Sequence, residues 1–269
     1  MPRLHPTAII DPAAEIEEGA VVGPFCVVGP HVRLAARVVL DAHAVVTGRT
    51  AVGAGCRIGS FAVVGGAPQD RSHEGPVGPV TIGTETIIRE HVTIHGGSSG
   101  GRGSTRIGDG CLLMVGSHVG HDTWVGDRST LVNGVMLAGH VDVGADVFVG
   151  GASTVHQFVR LGDHSHVGGS SAVERDVVPW GLALGNRAVL RGPNLVGMKR
   201  AGLSPDVIRR AQALWRDVFE ASEAPLRQRL ESAEARADYG PVGETIFRFL
   251  ERSSRRGLIP LASPRSSFS

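Results

Sequence analysis

The sequence predicts an all-β left-handed parallel β-helix built from hexapeptide repeats, followed by a C-terminal α-helical segment. Three observations carry this: an aliphatic residue at every sixth position, glycine often directly after it, and a switch to a helical pattern after Asp176. The aliphatic series runs Ile10, Ile16, Val22, Val28 and onward to Val64, and resumes in phase at Ile82, Ile88 and Ile94. It then slips by one residue and continues from Ile107 through Leu113 and Val119 to Val173. A period of six matches neither an α-helix nor the two-residue alternation of a strand. It matches a triangular coil of three hexads, 18 residues in all. Each aliphatic side chain then stacks on its counterpart in the next coil, about 4.8 Å away. The 38 glycines and the aromatic content of 4% suit such coils better than a conventional core.

In chain order, residues 1–190 are assigned to the coils, with loops at 68–79 ("PQDRSHEGPVGP") and 96–104 ("GGSSGGRGS"), where polar and turn-forming residues interrupt the hexads. Loops that leave a solenoid wall are where function concentrates. Residues 191–258 are assigned to helices. The first begins in "LSPDVIRRAQALWRDVFEAS", with Ser204 as N-cap, Pro205 at the first position and one apolar stripe of Val207, Ile208, Ala211, Leu214, Trp215, Val218 and Phe219. Two more are expected around 226–237 and 244–252, and a serine-rich tail without fixed structure over 259–269. The helices can cap the open end of the coil.

A formal net charge of +1 argues against a general nucleic-acid binder. No stretch approaches the ~20 apolar residues of a membrane span, and "MPRLHPTAII" lacks the apolar run of a signal peptide. Cys26, Cys56 and Cys111 are odd in number, lack metal-type spacing and fall at the first position of a hexad, where a small residue fits. They suit a reducing compartment and a soluble cytoplasmic protein.

The chemistry concentrates in "SHVGHDTWVG". His118, His121 and Asp122 surround the inward-facing Val119, so all three are expected on a wall or corner, within reach of solvent. His140 stands one coil after Asp122 and is expected directly above it. His95 and His156 each replace the glycine that follows an aliphatic position. His5, His31, His43, His73 and His91 read as imidazoles tolerated on polar walls. Two functional readings stay open. Three histidines could bind zinc, as in the γ-class carbonic anhydrases, although the spacing of that family, two histidines five apart, is absent. Alternatively, a neutral imidazole takes a proton from an attacking hydroxyl while a carboxylate, here the adjacent Asp122, fixes its tautomer.

The segments "HPTAIIDP", "GGAPQD", "REHVTIHGG", "LLMVGSHVGHD", "GGASTVHQFVRLG", "GNRAVLRGPNLVGMKRAGLS" and "SSRRGLI" resemble the acyl-[acyl-carrier-protein]–UDP-N-acetylglucosamine O-acyltransferases over nearly the whole chain. The resemblance implies a cytoplasmic homotrimer with active sites between neighbouring prisms, needing no cofactor and no metal. It implies transfer of a (3R)-3-hydroxyacyl group from acyl carrier protein to the 3-hydroxyl of UDP-N-acetylglucosamine, the first step of lipid A biosynthesis. His121 matches the general base, with Asp122 beside it, and the Gly139 N–H matches the oxyanion donor. Asp70, His95, His118, His140, His156 and Gln157 match positions around the sugar and the acyl-pantetheine. Asn194 and Arg200 match the uridine- and phosphate-facing part, and Gly169, with His166 near it, the floor that measures acyl length. Ser72, Val196 and Ala201 stand where the family usually has a lysine, an acidic residue and a second arginine, which leaves a 3-amino UDP-sugar open as acceptor. The sister N-acyltransferase would need a separate uridine-binding domain before Ile10. A non-catalytic scaffold would show a glycine-regular repeat without these histidines.

Overall fold

In the computed structural model, which describes residues 1–220, 225–234 and 239–262, the chain winds into three flat sheets around one apolar interior. Among the described residues the first wall, starting at Arg3–Leu4, has 11 strands. The second, from Ile9–Ile10, has nine, and the third, from Glu15–Ile16, has eight. Most strands are two residues long, one side chain in and one out, so that Val22 is buried while Val21 is only partly covered. Strands pair in parallel with the next coil at the expected spacing, Leu112 with Thr130 and Thr130 with Phe148. The stacked interior column of Val22, Leu40, Ile58, Ile88, Leu113 and Leu131 is wholly buried. Burial contributes about 1.5–3 kcal/mol for each such side chain, so this column is what holds the prism together.

The loops lengthen two coils. The first-wall partners Arg57 and Ile87 are 30 residues apart, Ile87 and Leu112 are 25 apart, and regular coils repeat at 18, as from Leu112 to Thr130. The one-residue slip is thus absorbed by the second loop, leaving the interior in phase. The loops also join: Gly78 and Gly97 exchange backbone hydrogen bonds of 2.8 and 3.3 Å, and Ser99 N donates to His73 Nδ1 at 3.3 Å. The three cysteines are buried, and burial pushes the Cys56 thiol up to about 11. His43 and His91 alternate with Phe25 and Phe61 in one corner stack, a use of these imidazoles that the sequence pattern does not signal.

Past Ala172–Val173 the regular coils end, and Gly181–Leu184 pairs antiparallel with Val189–Pro193. A short helix not anticipated from sequence, α1 (Leu195–Arg200), follows. Helix α2 (Pro205–Leu214) starts as expected, with Ser204 Oγ accepting from Val207 N, and runs into a π-helical turn over Trp215–Glu220. The stripe of Ala211, Leu214, Trp215, Val218 and Phe219 is buried. Helix α3 spans Leu226–Glu234, and residues 235–237 of its expected extent lie outside the described residues. Helix α4 spans Gly240–Glu251. Of the expected tail, 263–269 also lies outside the described residues, whereas residues 259–262 return to the prism end. There Ile259 N donates to Asp176 O, and Ala262 N to Leu190 O. These backbone bonds are the physical reason that the segment is ordered further than its composition suggests.

Candidate active site

One corner between the second and third walls carries, coil above coil, Asp122, His140 and Phe158, all with left-handed backbone (φ 61°, 62° and 67°). Such a corner needs a residue that tolerates positive φ, and Asp and His do so more readily than bulky residues. The 18-residue spacing therefore places His140 over Asp122 as expected. His140 Nδ1 lies 4.0 Å from the carboxylate, and the His140 ring meets His121 edge-on with centroids 4.9 Å apart. Phe158 stacks on the other face of this column, 4.4 Å from His140.

Asp122 departs from expectation. It is 0% exposed rather than within reach of solvent, because the 96–104 loop folds across the corner and covers it. Its Oδ2 accepts from His121 Nδ1 at 2.8 Å, Ser98 N at 2.9 Å and Ser98 Oγ at 2.6 Å, and Oδ1 accepts from Gly103 N at 2.7 Å. Burial alone would raise this carboxyl, but the hydrogen bonds from Ser98, His121 and Gly103 together outweigh it and hold the group below the usual carboxylate range. A charged Asp122 fixes the His121 proton on Nδ1 and leaves Nε2 with a free lone pair. A Cβ placed on Gly139 would come 2.6 Å from that nitrogen, so only glycine admits the ring here. The Gly139 N–H has no hydrogen-bond partner among the described residues.

Nε2 faces a groove of about 540 Å³ along the second wall, lined by His95, His118, His121, Gly139, His156 and Gln157 among others. His118 and His95 meet edge-on at 4.9 Å, and Thr93 Oγ1 binds His118 Nδ1 at 2.7 Å. Burial, with His95 and His121 adding, pushes the His118 imidazole down to about 4, and burial lowers His95 also, so both are neutral at neutral pH. His95 Nδ1 is buried without a partner among the described residues. Asp70 lies at the rim beside Gln69. Ser72 caps its Oδ1 through N (2.9 Å) and Oγ (2.7 Å), and these bonds hold the carboxyl below its ordinary value.

Four expected site residues lie elsewhere on this chain. His166 is on the first wall, stacked on Phe148 at 4.8 Å, and Gly169 follows it in the same coil. Asn194 caps α1 through Gly197 N (2.9 Å) and ties it to the coil through His164 O (3.0 Å), and Arg200 ends that helix, close enough to His166 to lower its pKa after burial has done so. Sequence reasoning missed Ser98, Gly103 and Thr93. Only the glycine density of 96–104 hinted that a backbone closely approached something there.

His121, Asp122 and His140 are a group with ligand atoms within 4.8 Å of one another, so a divalent metal has to be considered. The arrangement fits poorly. Asp122 Oδ2 already accepts three hydrogen bonds and His121 Nδ1 is committed to it, so binding would require unmaking a satisfied buried cluster.

The chain is similar in sequence and in fold to known proteins. Residues 176–259 match the model for the second domain of UDP N-acetylglucosamine O-acyltransferase, and residues 104–139 that for the bacterial transferase hexapeptide (six repeats). The acyl-[acyl-carrier-protein]–UDP-N-acetylglucosamine O-acyltransferase of Caulobacter vibrioides is 51% identical over 210 residues, 78% of this chain and 79% of that protein. The enzyme of that name from Burkholderia mallei is 42% identical over 262 residues, 96% of this chain and 100% of that one. The crystal structure of the UDP-N-acetylglucosamine O-acyltransferase of Moraxella catarrhalis superposes with a TM-score of 0.91 at 39% identity, covering 95% of this chain and 99% of that one.

Proposed function

Because this chain belongs to the acyl-[acyl-carrier-protein]–UDP-N-acetylglucosamine O-acyltransferase family, and so transfers an acyl group from acyl carrier protein to UDP-N-acetylglucosamine in lipid A biosynthesis, we propose that His121 is the general base of that transfer. The observation that carries this is the 2.8 Å bond from His121 Nδ1 to a buried, charged Asp122, with Nε2 bare over Gly139. The sugar 3-hydroxyl attacks the thioester carbonyl of a (3R)-3-hydroxyacyl chain as Nε2 takes its proton. The Gly139 N–H, without a partner among the described residues, is the donor assigned to the oxyanion. Collapse breaks the C–S bond, and the proton passes from Nε2 to the departing pantetheine sulfur. His95 and His118, both neutral, offer polar edges to the sugar, and His156 and Gln157 to the donor.

We propose a homotrimer as part of the same reading. Most exposed large apolar side chains of the coils, among them Phe25, Phe61, Ile87, Val115, Met136 and Phe148, lie on the first and second walls or the corner between them, with Trp124 on the third. Packing a second copy there would cover that strip and bring the partner's first wall, with its acyl-length and nucleotide residues, toward the second-wall groove. The described residues include no helix long and apolar enough to cross a membrane, and a cytoplasmic enzyme fits the location of its donor. The second reading, a 3-amino UDP-sugar as acceptor, rests on one observation, that Asp70 is capped by Ser72 and has no lysine or arginine on it among the described residues.

The test is His121→Ala with both substrates saturating. It should lower kcat by about 10²–10⁴ while leaving the fold intact, and chelators should leave the parent enzyme unaffected. Near-normal turnover of the variant, or one zinc per chain lost with it, would overturn the assignment. Offering the 3-hydroxyl and 3-amino sugars in competition decides the acceptor.

A further inference from the structure

The 96–104 loop does not merely leave the wall; it returns to the corner where the buried Asp122 carboxylate sits. We propose that this loop is a clamp that sets the Asp122 carboxylate, with Ser98 as a positioning residue inside and Arg102 as a latch outside. The proposal rests on the reading of His121 as base.

The inner contacts are close and specific. Ser98 gives both its N–H and its hydroxyl to Asp122 Oδ2, the same oxygen that accepts from His121 Nδ1, while Gly103 N holds Oδ1. A Cβ on Gly101 would come within 2.4 Å of the carboxylate, and Gly103 has φ +69°, so two of the loop glycines are required by the approach itself. The torsion that turns a carboxylate is broad and roughly two-fold, so without these donors the oxygen facing His121 has no unique place. The imidazole would then lose a fixed acceptor, and the tautomer with its proton on Nε2, which cannot take a proton from the acceptor, would become populated.

The latch lies on a different wall. Arg102 sits between Gly101 and Gly103, and its guanidinium forks onto the carboxylate of Asp142, with Nη2 to Oδ2 at 2.7 Å and Nη1 on Oδ1. It lies 4.6 Å over the ring of Trp124, whose Nε1 donates to Ser104 O at the end of the loop. Trp124 and Asp142 are neighbours in register on the third wall, and none of the three lines the His121 groove. A bidentate arginine pair is geometrically demanding, and this one fixes the loop only 20 residues before the catalytic corner that it covers.

The experiment compares Ser98→Ala, Ser98→Thr and Arg102→Ala with the parent and with His121→Ala, reading kcat, KM for both substrates and the thermal midpoint. Removing an outer partner of a catalytic group commonly costs about 10- to 100-fold. Ser98→Ala and Arg102→Ala should therefore lose about tenfold or more in kcat with KM and midpoint little changed. Ser98→Thr, which keeps the hydroxyl, should recover most of the rate. Nitrogen NMR of the imidazoles should show His121 with Nε2 bare in the parent and a tautomer mixture in Ser98→Ala. Parent-like kcat in Ser98→Ala and Arg102→Ala beside an inactive His121→Ala would overturn the clamp and leave the base standing. An active His121→Ala would overturn both. Equal losses in Ser98→Ala and Ser98→Thr would also overturn the clamp, by showing that the hydroxyl is not what matters.

Discussion

Replacing Asp122 with Asn separates what the carboxylate does for folding from what it does for the reaction. An amide offers one acceptor oxygen and one NH₂, whereas the site presents donors to both oxygens: three to Oδ2 and the Gly103 N–H to Oδ1. If the amide oxygen faces Ser98 and His121, the NH₂ opposes Gly103 N. If it is flipped, the NH₂ opposes three donors at once. The first orientation is the better one and still strands a buried donor pair, which costs about 1–3 kcal/mol, or roughly 2–4 °C of thermal midpoint for each kcal/mol. The rate should fall further, by about 10²–10⁴, because a neutral amide no longer stabilises the imidazolium that forms as Nε2 takes the proton. The folded carboxyl titrates below its ordinary 3.8, so its stabilisation is complete above that value and is lost as the pH falls through the lower folded one. Asp122→Asn should remove this acid-side slope. Steady-state transfer with saturating sugar and acyl carrier protein reads the rate, and thermal melts between about pH 7 and pH 3 read the slope. A kcat within about fivefold of the parent would refute the orienting role, since general-base effects are far larger.

Two further outcomes follow from neighbouring groups. Burial holds the His118 imidazole near 4 against an ordinary 6.5, so its contribution to stability is complete above 6.5 and is lost as the pH falls toward 4; His118→Asn should flatten that part of the melting curve, and a parent midpoint independent of pH over this window would sink the argument. At Gly169 an added Cβ would meet only the Gly151 backbone, O at 3.4 Å and N at 3.9 Å, whereas at Gly168 it would strike Leu184 at 1.9 Å, so Gly169→Met is sterically admissible. If Gly169 floors the acyl channel, Met should shorten the preferred chain, and losing four methylenes at about 0.8 kcal/mol each shifts selectivity by roughly two orders of magnitude. A parent preference unchanged in Gly169→Met, read with carriers bearing ten-, twelve- and fourteen-carbon chains, would put the floor elsewhere.

The parts of the fold that depend on period were legible, and the parts that depend on a path through space were not. A hexad repeat fixes which side chain points inward and which stands one coil above another, so the stacking of His140 over Asp122 follows from two residue numbers. The period says nothing of where a loop goes once it leaves the wall. The burial of Asp122 by Ser98 and Gly103, and the pairing of Arg102 with Asp142 forty residues on, were invisible for that reason. Helix α1 was a different kind of miss. It is six residues long, but Asn194 three positions before Gly197 and the basic pair Lys199 and Arg200 in its last turn are ordinary capping signals. A helix of six residues has fewer than two turns, too short for an apolar stripe to mark it.

Asn194 spends its carbonyl on Gly197 N and its amide on His164 O, so its side chain holds α1 against the coil that carries His166. His164 in turn stacks on Trp180 at 3.9 Å, and Asn194 N donates to Trp180 O at 2.6 Å. A residue bound at both ends can still present its edge to a nucleotide, but its substitution disturbs the helix that carries Arg200 as well as any ligand contact. Loss of nucleotide affinity in an Asn194 variant would therefore not identify a direct contact. The same logic applies at the Asp122 corner, where the carboxylate is bonded from the loop and from His121, with His140 Nδ1 4.0 Å away in the next coil. In a solenoid each site residue is also a rung, and function is assigned by which variant changes kcat without moving the melt.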